Sequence, residues 1–169
     1  MAKKEVEKVW EIPNSVSVKI EKDQIIFSGP KGSVTKKIPP ILQLTLDNSK
    51  IVLRGKLVIV NTFLAHFKNM AKGCLDGYSK KMKIVYAHFP ISLTVRGNVI
   101  EIKNFLGERS PRYAKIMGDT KVEIKGQEIF LSSPSKEDLG QTVANILRAV
   151  KIKNYDPRVF QDGIYPVGE

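Results

Sequence analysis

An α+β fold is predicted for this chain: two duplicated small domains, each an antiparallel sheet packed on one helix. Three observations predict it. Short apolar–polar alternations recur along the chain, which is the period of half-buried strands. Two longer segments carry apolar residues at helical spacing. The order of strands and then one helix occurs twice, each copy near 75 of the 169 residues. A duplication of that length implies two like domains with separate cores, 1–79 and 80–169, and not a solenoid.

The elements follow in order. Residues 1–11 are charged and mixed, with Val6, Val9 and Trp10 available to dock. Val16, Val18 and Ile20 alternate with Ser17 and Lys19 as a strand, Lys22-Asp23 turns, and Gln24 to Phe27 returns. Gly29-Pro30-Lys31-Gly32 is a turn, and Ser33 to Ile38 continues as a strand. Leu42, Leu44 and Leu46 alternate, Asp47 to Lys50 turns, and Ile51 to Leu53 pairs back. A helix from about Leu57 presents Phe63, Leu64, Phe67, Met70, Ala71 and Cys74 as one stripe. Tyr78 to Tyr86, with Lys80, Lys81 and Lys83, joins the copies. In the second copy Leu93 and Val95 alternate, Gly97-Asn98 makes a hairpin turn, and Val99 to Ile102 returns. Phe105-Leu106-Gly107 falls where Pro30-Lys31-Gly32 fell. Lys121 to Ile124 and Glu128 to Leu131 form a further hairpin. Ser135 is the N-cap of a second helix, with Glu137 and Asp138 in its first turn and Leu139, Val143, Ile146, Leu147 and Val150 as its stripe. Residues 151–169 lie outside the repeat and show no period long enough to bury them.

Charge points to the partner. There are 28 Lys and Arg against 17 Asp and Glu, a net charge of +11 with a pI near 9.7. That excess in a folded chain points to a polyanion, most often nucleic acid. A membrane surface would need a basic amphipathic helix, and neither helix is basic along one face. No apolar run approaches the roughly 20 residues of a membrane span. The N-terminus shows no apolar segment after its charges, so no secretory signal is expected. The single cysteine excludes an internal disulfide framework and fits a reducing cytosol.

The candidate sites are two basic stretches of the second copy. Lys103 to Lys115 carries Lys103, Arg109, Arg112 and Lys115 against one acid, Glu108. Gly107 and Pro111 let its backbone turn, and Phe105 and Tyr113 supply planar faces. The C-terminal stretch interleaves Lys151, Lys153 and Arg158 with Tyr155, Phe160 and Tyr165, and Gly163 permits close backbone approach. Basic loops with aromatics suit phosphates and irregularly folded bases. An ordinary solvated loop explains the composition of 103–115 equally well, and Lys103 fits a plain strand end; the net charge tilts the balance toward RNA. The tail aromatics allow two roles, stacking on bases or pinning the tail.

Catalytic chemistry is not expected. His66 and His88 lie in different copies, no Cys/His set has zinc spacing, and Cys74 sits on an apolar stripe as a buried, inert thiol. Gly29-Pro30-Lys31-Gly32 lacks the length of a phosphate loop and is not followed by a helix. No catalytic residue, metal or cofactor is therefore assigned. The competing classes are an RNA-processing enzyme and a free protein-interaction module.

Four strings stand in a telling order: Gly29 to Gly32, Tyr86-Ala87-His88-Phe89-Pro90, Asn104-Phe105-Leu106-Gly107-Glu108, and Val159-Phe160-Gln161-Asp162-Gly163-Ile164-Tyr165. Together they resemble the archaeal and eukaryotic branch of the large-subunit ribosomal protein L6 family, over nearly the whole chain. Glu108 to Arg112 is more archaeal than eukaryotic in character. The resemblance implies two related α+β domains and a structural place in the cytoplasmic ribosome. It implies large-subunit rRNA and neighbouring large-subunit ribosomal proteins as partners, with no homo-oligomer. It also implies a position near the sarcin–ricin loop, where translational GTPases transiently dock. Carried over by position, it favours Asn104, Gly107, Arg109, Arg112 and Lys115 in the loop. In the tail it favours Lys153, Tyr155, Arg158, Phe160, Gly163 and Tyr165. Pro166 departs from the apolar residue expected there.

Overall fold

The computed structural model describes residues 5–168; Met1 to Lys4, read above as carrying no secretory signal, lie outside them. The chain divides into two compact units, Met1–Gly77 and Tyr78–Glu169. Each is a mixed unit of antiparallel sheets and one helix.

The first unit runs β1 (Glu5–Glu11), β2 (Ser17–Glu21), β3 (Gln24–Gly29), β4 (Gly32–Lys37), β5 (Gln43–Asp47), β6 (Lys50–Lys56) and α1 (Leu57–Leu75). The strands form two three-stranded sheets, ordered β1-β6-β5 and β2-β3-β4. The expected alternations bury Ile25 and Phe27 on β3 and Ile51 and Leu53 on β6. The helical stripe buries Val60, Phe63, Phe67, Met70, Ala71 and Cys74 against them. Phe27 and Phe67 lie 5.5 Å apart, and Trp10 tilts over both at 6.0 and 6.1 Å. That contact explains β1, which sequence reading left as a docking segment. Val6, Lys8 and Trp10 face inward, and Glu5, Glu7 and Glu11 face out opposite Lys56, Arg54 and Lys50.

The Gly29 to Gly32 turn ends α1. The Lys31 N–H donates to the Cys74 carbonyl at 3.0 Å. Asp76 and Gly77 N–H donate back to Lys72 and Gly73, with Gly77 at φ +74°, so glycine suits the helix end. Burial pushes the Cys74 thiol up, partly offset by a backbone hydrogen bond from Val34. An inert thiol is the result.

The second unit runs β7 (Tyr78–Val85), β8 (Ser92–Arg96), β9 (Val99–Lys103), a 3₁₀ turn (Phe105–Gly107), β10 (Arg112–Lys115), β11 (Lys121–Lys125), β12 (Glu128–Ser133), α2 (Lys136–Ala149) and β13 (Gly163–Pro166). Its sheets are β10-β9-β8 and β11-β12-β7-β13. β8, β9 and β10 repeat β2, β3 and β4; β7, β11 and β12 repeat β1, β5 and β6. The Ser135 hydroxyl caps α2, accepting from the Asp138 N–H at 3.2 Å.

Three expectations change. Tyr78 to Tyr86 is no joining segment: β7 lies between β12 and β13 and buries Met82 and Ile84. Tyr78 and Ser79 already pair with Ser133 and Ser132, so the division between units falls two residues before 79/80. The tail is not left unburied. Asp162, Gly163 and Ile164 are buried, and β13 adds an edge strand. Pro166 has no N–H to give a ladder, which an edge position tolerates.

A Cβ added at Gly29 would stand 2.7 Å from the Cys74 carbonyl oxygen. Gly29→Ala is expected to destabilise by about 1–3 kcal/mol, read as a lower urea midpoint with an unchanged slope.

Candidate nucleic-acid interface

Three segments of the second unit meet: the junction string 86–90, the loop 104–111 and the tail. The loop is the enlarged copy of the Gly29 to Gly32 turn. Asn104, Leu106 and Gly107 all have positive φ (59°, 51° and 73°). The Asn104 side-chain amide donates to the Pro90 carbonyl at 3.0 Å. At Gly107 a Cβ would come within 3.0 Å of the Phe89 ring, so the loop lies flat against it. Phe105 offers no planar face, because it is 1% exposed in the core.

Arg112 is not a free cation. It begins β10, opposite Ile102. Its guanidinium makes a two-pronged pair with Glu108, at 2.8 Å from Nε and 2.6 Å from Nη2. Nη1 donates to the Ala149 and Lys151 carbonyls, both at 3.0 Å. The group also lies 4.5 Å over the Phe105 ring. It therefore ties the loop to the end of α2. The hydrogen bonds between the two side chains hold the Glu108 carboxyl below, and the Arg112 guanidinium above, their ordinary ranges.

The other cations lie around this clasp. Arg109 is exposed and has no hydrogen-bond or ion-pair partner among the described residues. Lys115 is exposed on β10. Lys103 lies 3.6 Å from Glu101. Glu101 is 5% exposed in the middle of the open face of β8-β9-β10. It also holds Arg96 at 3.1 Å, both contacts being ion pairs without hydrogen-bond geometry. Arg96 and Lys115 both face Val99 in register, and Tyr113, 61% exposed, faces Glu101. One carboxylate thus orders two cations beside an exposed ring. Sequence reading missed Arg96, whose parity on β8 was the available signal.

The tail is pinned from the junction. The Asp162 carboxylate accepts from the Ala87 N–H at 3.3 Å. His88, Phe160 and Tyr155 form a ladder, with ring centroids 5.7 and 4.6 Å apart. The Tyr165 hydroxyl donates to the Gln161 carbonyl at 2.8 Å, and a Cβ added at Gly163 would stand 3.3 Å from its ring. Gly163 is buried, so its small size serves Tyr165 packing and not an approaching ligand. Lys151 and Lys153 are exposed. Arg158 grips Asp156 at 3.0 and 3.1 Å and holds that carboxyl below its usual range. His88, Phe89 and Asp162 organise the site, yet nothing in their strings says what they touch.

A family model described as Ribosomal protein L6 matches residues 89–163. A relative from Methanosarcina mazei, named large ribosomal subunit protein uL6, is 44% identical over 97% of both chains. The chain belongs to the ribosomal protein L6 family. Relatives of the same name from Staphylothermus marinus and Thermoplasma volcanium are 45% and 42% identical, covering 92% and 100% of this chain and 90% and 99% of their own. The L6 match takes in the loop and the tail as far as Gly163, leaving Tyr165 outside it.

Arg112→Lys cannot rebuild the two-pronged pair and both carbonyl bonds. Losing charge-assisted bonds is expected to cost about 1.5–3 kcal/mol, read by urea unfolding. Glu108 has a lowered folded pKa, so its stabilisation is present above the ordinary glutamate range. It disappears as pH falls through the folded value. Acid titration followed by amide NMR of residues 104–112 should show that loss, and Glu108→Gln should remove the pH dependence.

Proposed function

We propose that this chain is a structural constituent of the large ribosomal subunit, held to its rRNA by the loop and tail of the second unit. Membership of the L6 family makes it a structural ribosomal protein of the cytoplasm and not an enzyme. The observation that carries the RNA contact is the set of exposed cations around the Arg112 clasp. Arg109, Lys115, Lys151 and Lys153 stand out from a backbone fixed by the clasp and the junction. Cations carried on a fixed backbone meet phosphates with only their side chains left to order.

The residues divide into two groups. Arg109, Lys103, Lys115, Lys151, Lys153 and, beside them, Arg96 serve phosphates. Arg158 joins them by exchanging Asp156 for a phosphate, since a pair this exposed is weakly held. Tyr113 and Tyr155 are the rings open to stacking. Asn104, Gly107, Arg112, Phe160, Gly163 and Tyr165 shape the surface and do not carry charge to RNA. The family resemblance supports a position near the sarcin–ricin loop and the docking site of translational GTPases, with other large-subunit proteins as neighbours. A free protein-interaction module is the competing reading, and it predicts that the chain stays in the supernatant when ribosomes are pelleted at physiological salt.

Each phosphate contact contributes about 0.7–0.9 to the slope of log affinity against log salt. Arg109→Ala with Lys153→Ala should lower that slope on large-subunit rRNA by roughly 1.4–1.8, with no change in melting temperature. An unchanged slope would remove the loop and tail from the interface.

A further inference from the structure

The sheet β11-β12-β7-β13 buries one face. Met82, Ile84, Ile129, Leu131 and Ile164 point into the core. The residues between them stand on the other face, because successive side chains alternate. There Phe130 occupies the centre, opposite Lys81 on β7 and Glu123 on β11. Lys81 and Lys125 place their amino groups 5.5 and 5.4 Å from the Phe130 ring centroid. Each is held by one carboxylate, Glu128 at 2.8 Å and Glu123 at 3.5 Å. A depression of about 500 Å³ lies over them, bounded on one side by Val167 and Gly168.

The duplication supplies its own comparison. The matching face of β1-β6-β5 has Val52 where Phe130 stands, between Val9 and Thr45. It carries three cations, Lys50, Arg54 and Lys56, against the carboxylates of Glu5, Glu7, Glu11 and Asp47. Two of these pairs are made, Lys50 with Glu11 at 3.3 Å and Arg54 with Glu5 at 4.0 Å. That face neutralises itself. The face of the second unit carries four lysines, Lys81, Lys83, Lys121 and Lys125, against two glutamates, Glu123 and Glu128. One copy has closed its charge account and the other has left it open around a ring.

We propose that this open face is a second RNA contact, on which the base of an unpaired nucleotide packs against the half-buried Phe130 ring while its phosphates displace Glu123 and Glu128 from Lys125 and Lys81. The chemistry favours RNA over an acidic peptide. Each nucleotide brings a phosphate and a π-face together, and stacking tolerates any base. A peptide would need apolar pockets for its anchors, and here the one ring is bracketed by two lysine amino groups. The inference rests on the ribosomal reading above, but the side chains it tests, Lys81, Lys125 and Phe130, lie outside the loop and the tail.

The test uses the full chain. Lys81→Gln with Lys125→Gln should lower the salt slope on large-subunit rRNA by about 1.4–1.8, with the melting temperature unchanged. A photo-crosslinking residue at position 130 in assembled subunits should yield an RNA adduct. A protein adduct, or an unchanged slope while Arg109→Ala with Lys153→Ala still lowers it, overturns this surface alone. If neither pair moves the slope, the reading it rests on falls too. Should the lysine pair melt early, Lys83→Gln, which lacks the ring contact, provides the same measurement with an expected loss of about 0.7–0.9.

Discussion

Both units depend on how the C-terminus of their helix is closed. The last carbonyls of a helix have no partner within it and must find donors elsewhere. In the first unit the donor is backbone: the Lys31 N–H reaches Cys74, and Gly29 is pressed so close that no Cβ fits. In the second unit the corresponding turn has grown to residues 104–111, and its backbone does not make the equivalent bond. The Arg112 guanidinium reaches Ala149 and Lys151 in its place. A long side chain spans the gap that the enlarged loop opens. Charge-assisted bonds are also stronger than the neutral one they replace. The loop is then free to carry Arg109 at its tip while its base stays anchored.

The junction string does the remaining organising. Tyr86 to Pro90 sits between β7 and β8, beside both the loop and the tail. Phe89 supports Gly107, Pro90 accepts from Asn104, Ala87 donates to Asp162, and His88 stacks on Phe160. One short segment therefore fixes the position of two basic stretches that are about 50 residues apart in the chain. A cation on such a support loses little freedom on meeting a phosphate.

What could be read from the sequence followed local physics. α1 starts at Leu57 and α2 is capped by Ser135, as stripe and cap dictated. The strands β2 to β6 announced themselves by alternation. β1 did not, because inward Lys8 interrupts the apolar parity; its amino group instead reaches Asn61 on α1 at 2.7 Å. β7 was hidden by Lys80, Lys81 and Lys83, which leave only Met82 and Ile84 as inward signals. β13 is four residues with a glycine and a proline, too short for any period. At the site, composition names cations but says nothing of their partners. Arg112 and Arg109 look alike in sequence; one binds carbonyls and the other stands in water. Arg96 was passed over for the opposite reason, since its importance comes from a buried glutamate on the next strand.

The pairing of β7 with β13 sets an order on the birth of the molecule. β7 opens the second unit, and β13 comes from its last residues, roughly 80 positions later. At about 5–20 residues per second of synthesis, that edge of β7 waits roughly 4–16 s for its partner. The first unit has no such debt to the C-terminus, since its sheets and helix are complete by Gly77. It closes while the second is still being made. During the wait Lys81 and Lys83 line the vacant edge strand, and like charge discourages a second chain from adding to it. When Pro166 finally docks opposite Met82, it brings a residue that cannot extend the ladder. The strand that finishes the sheet is also the one that seals it.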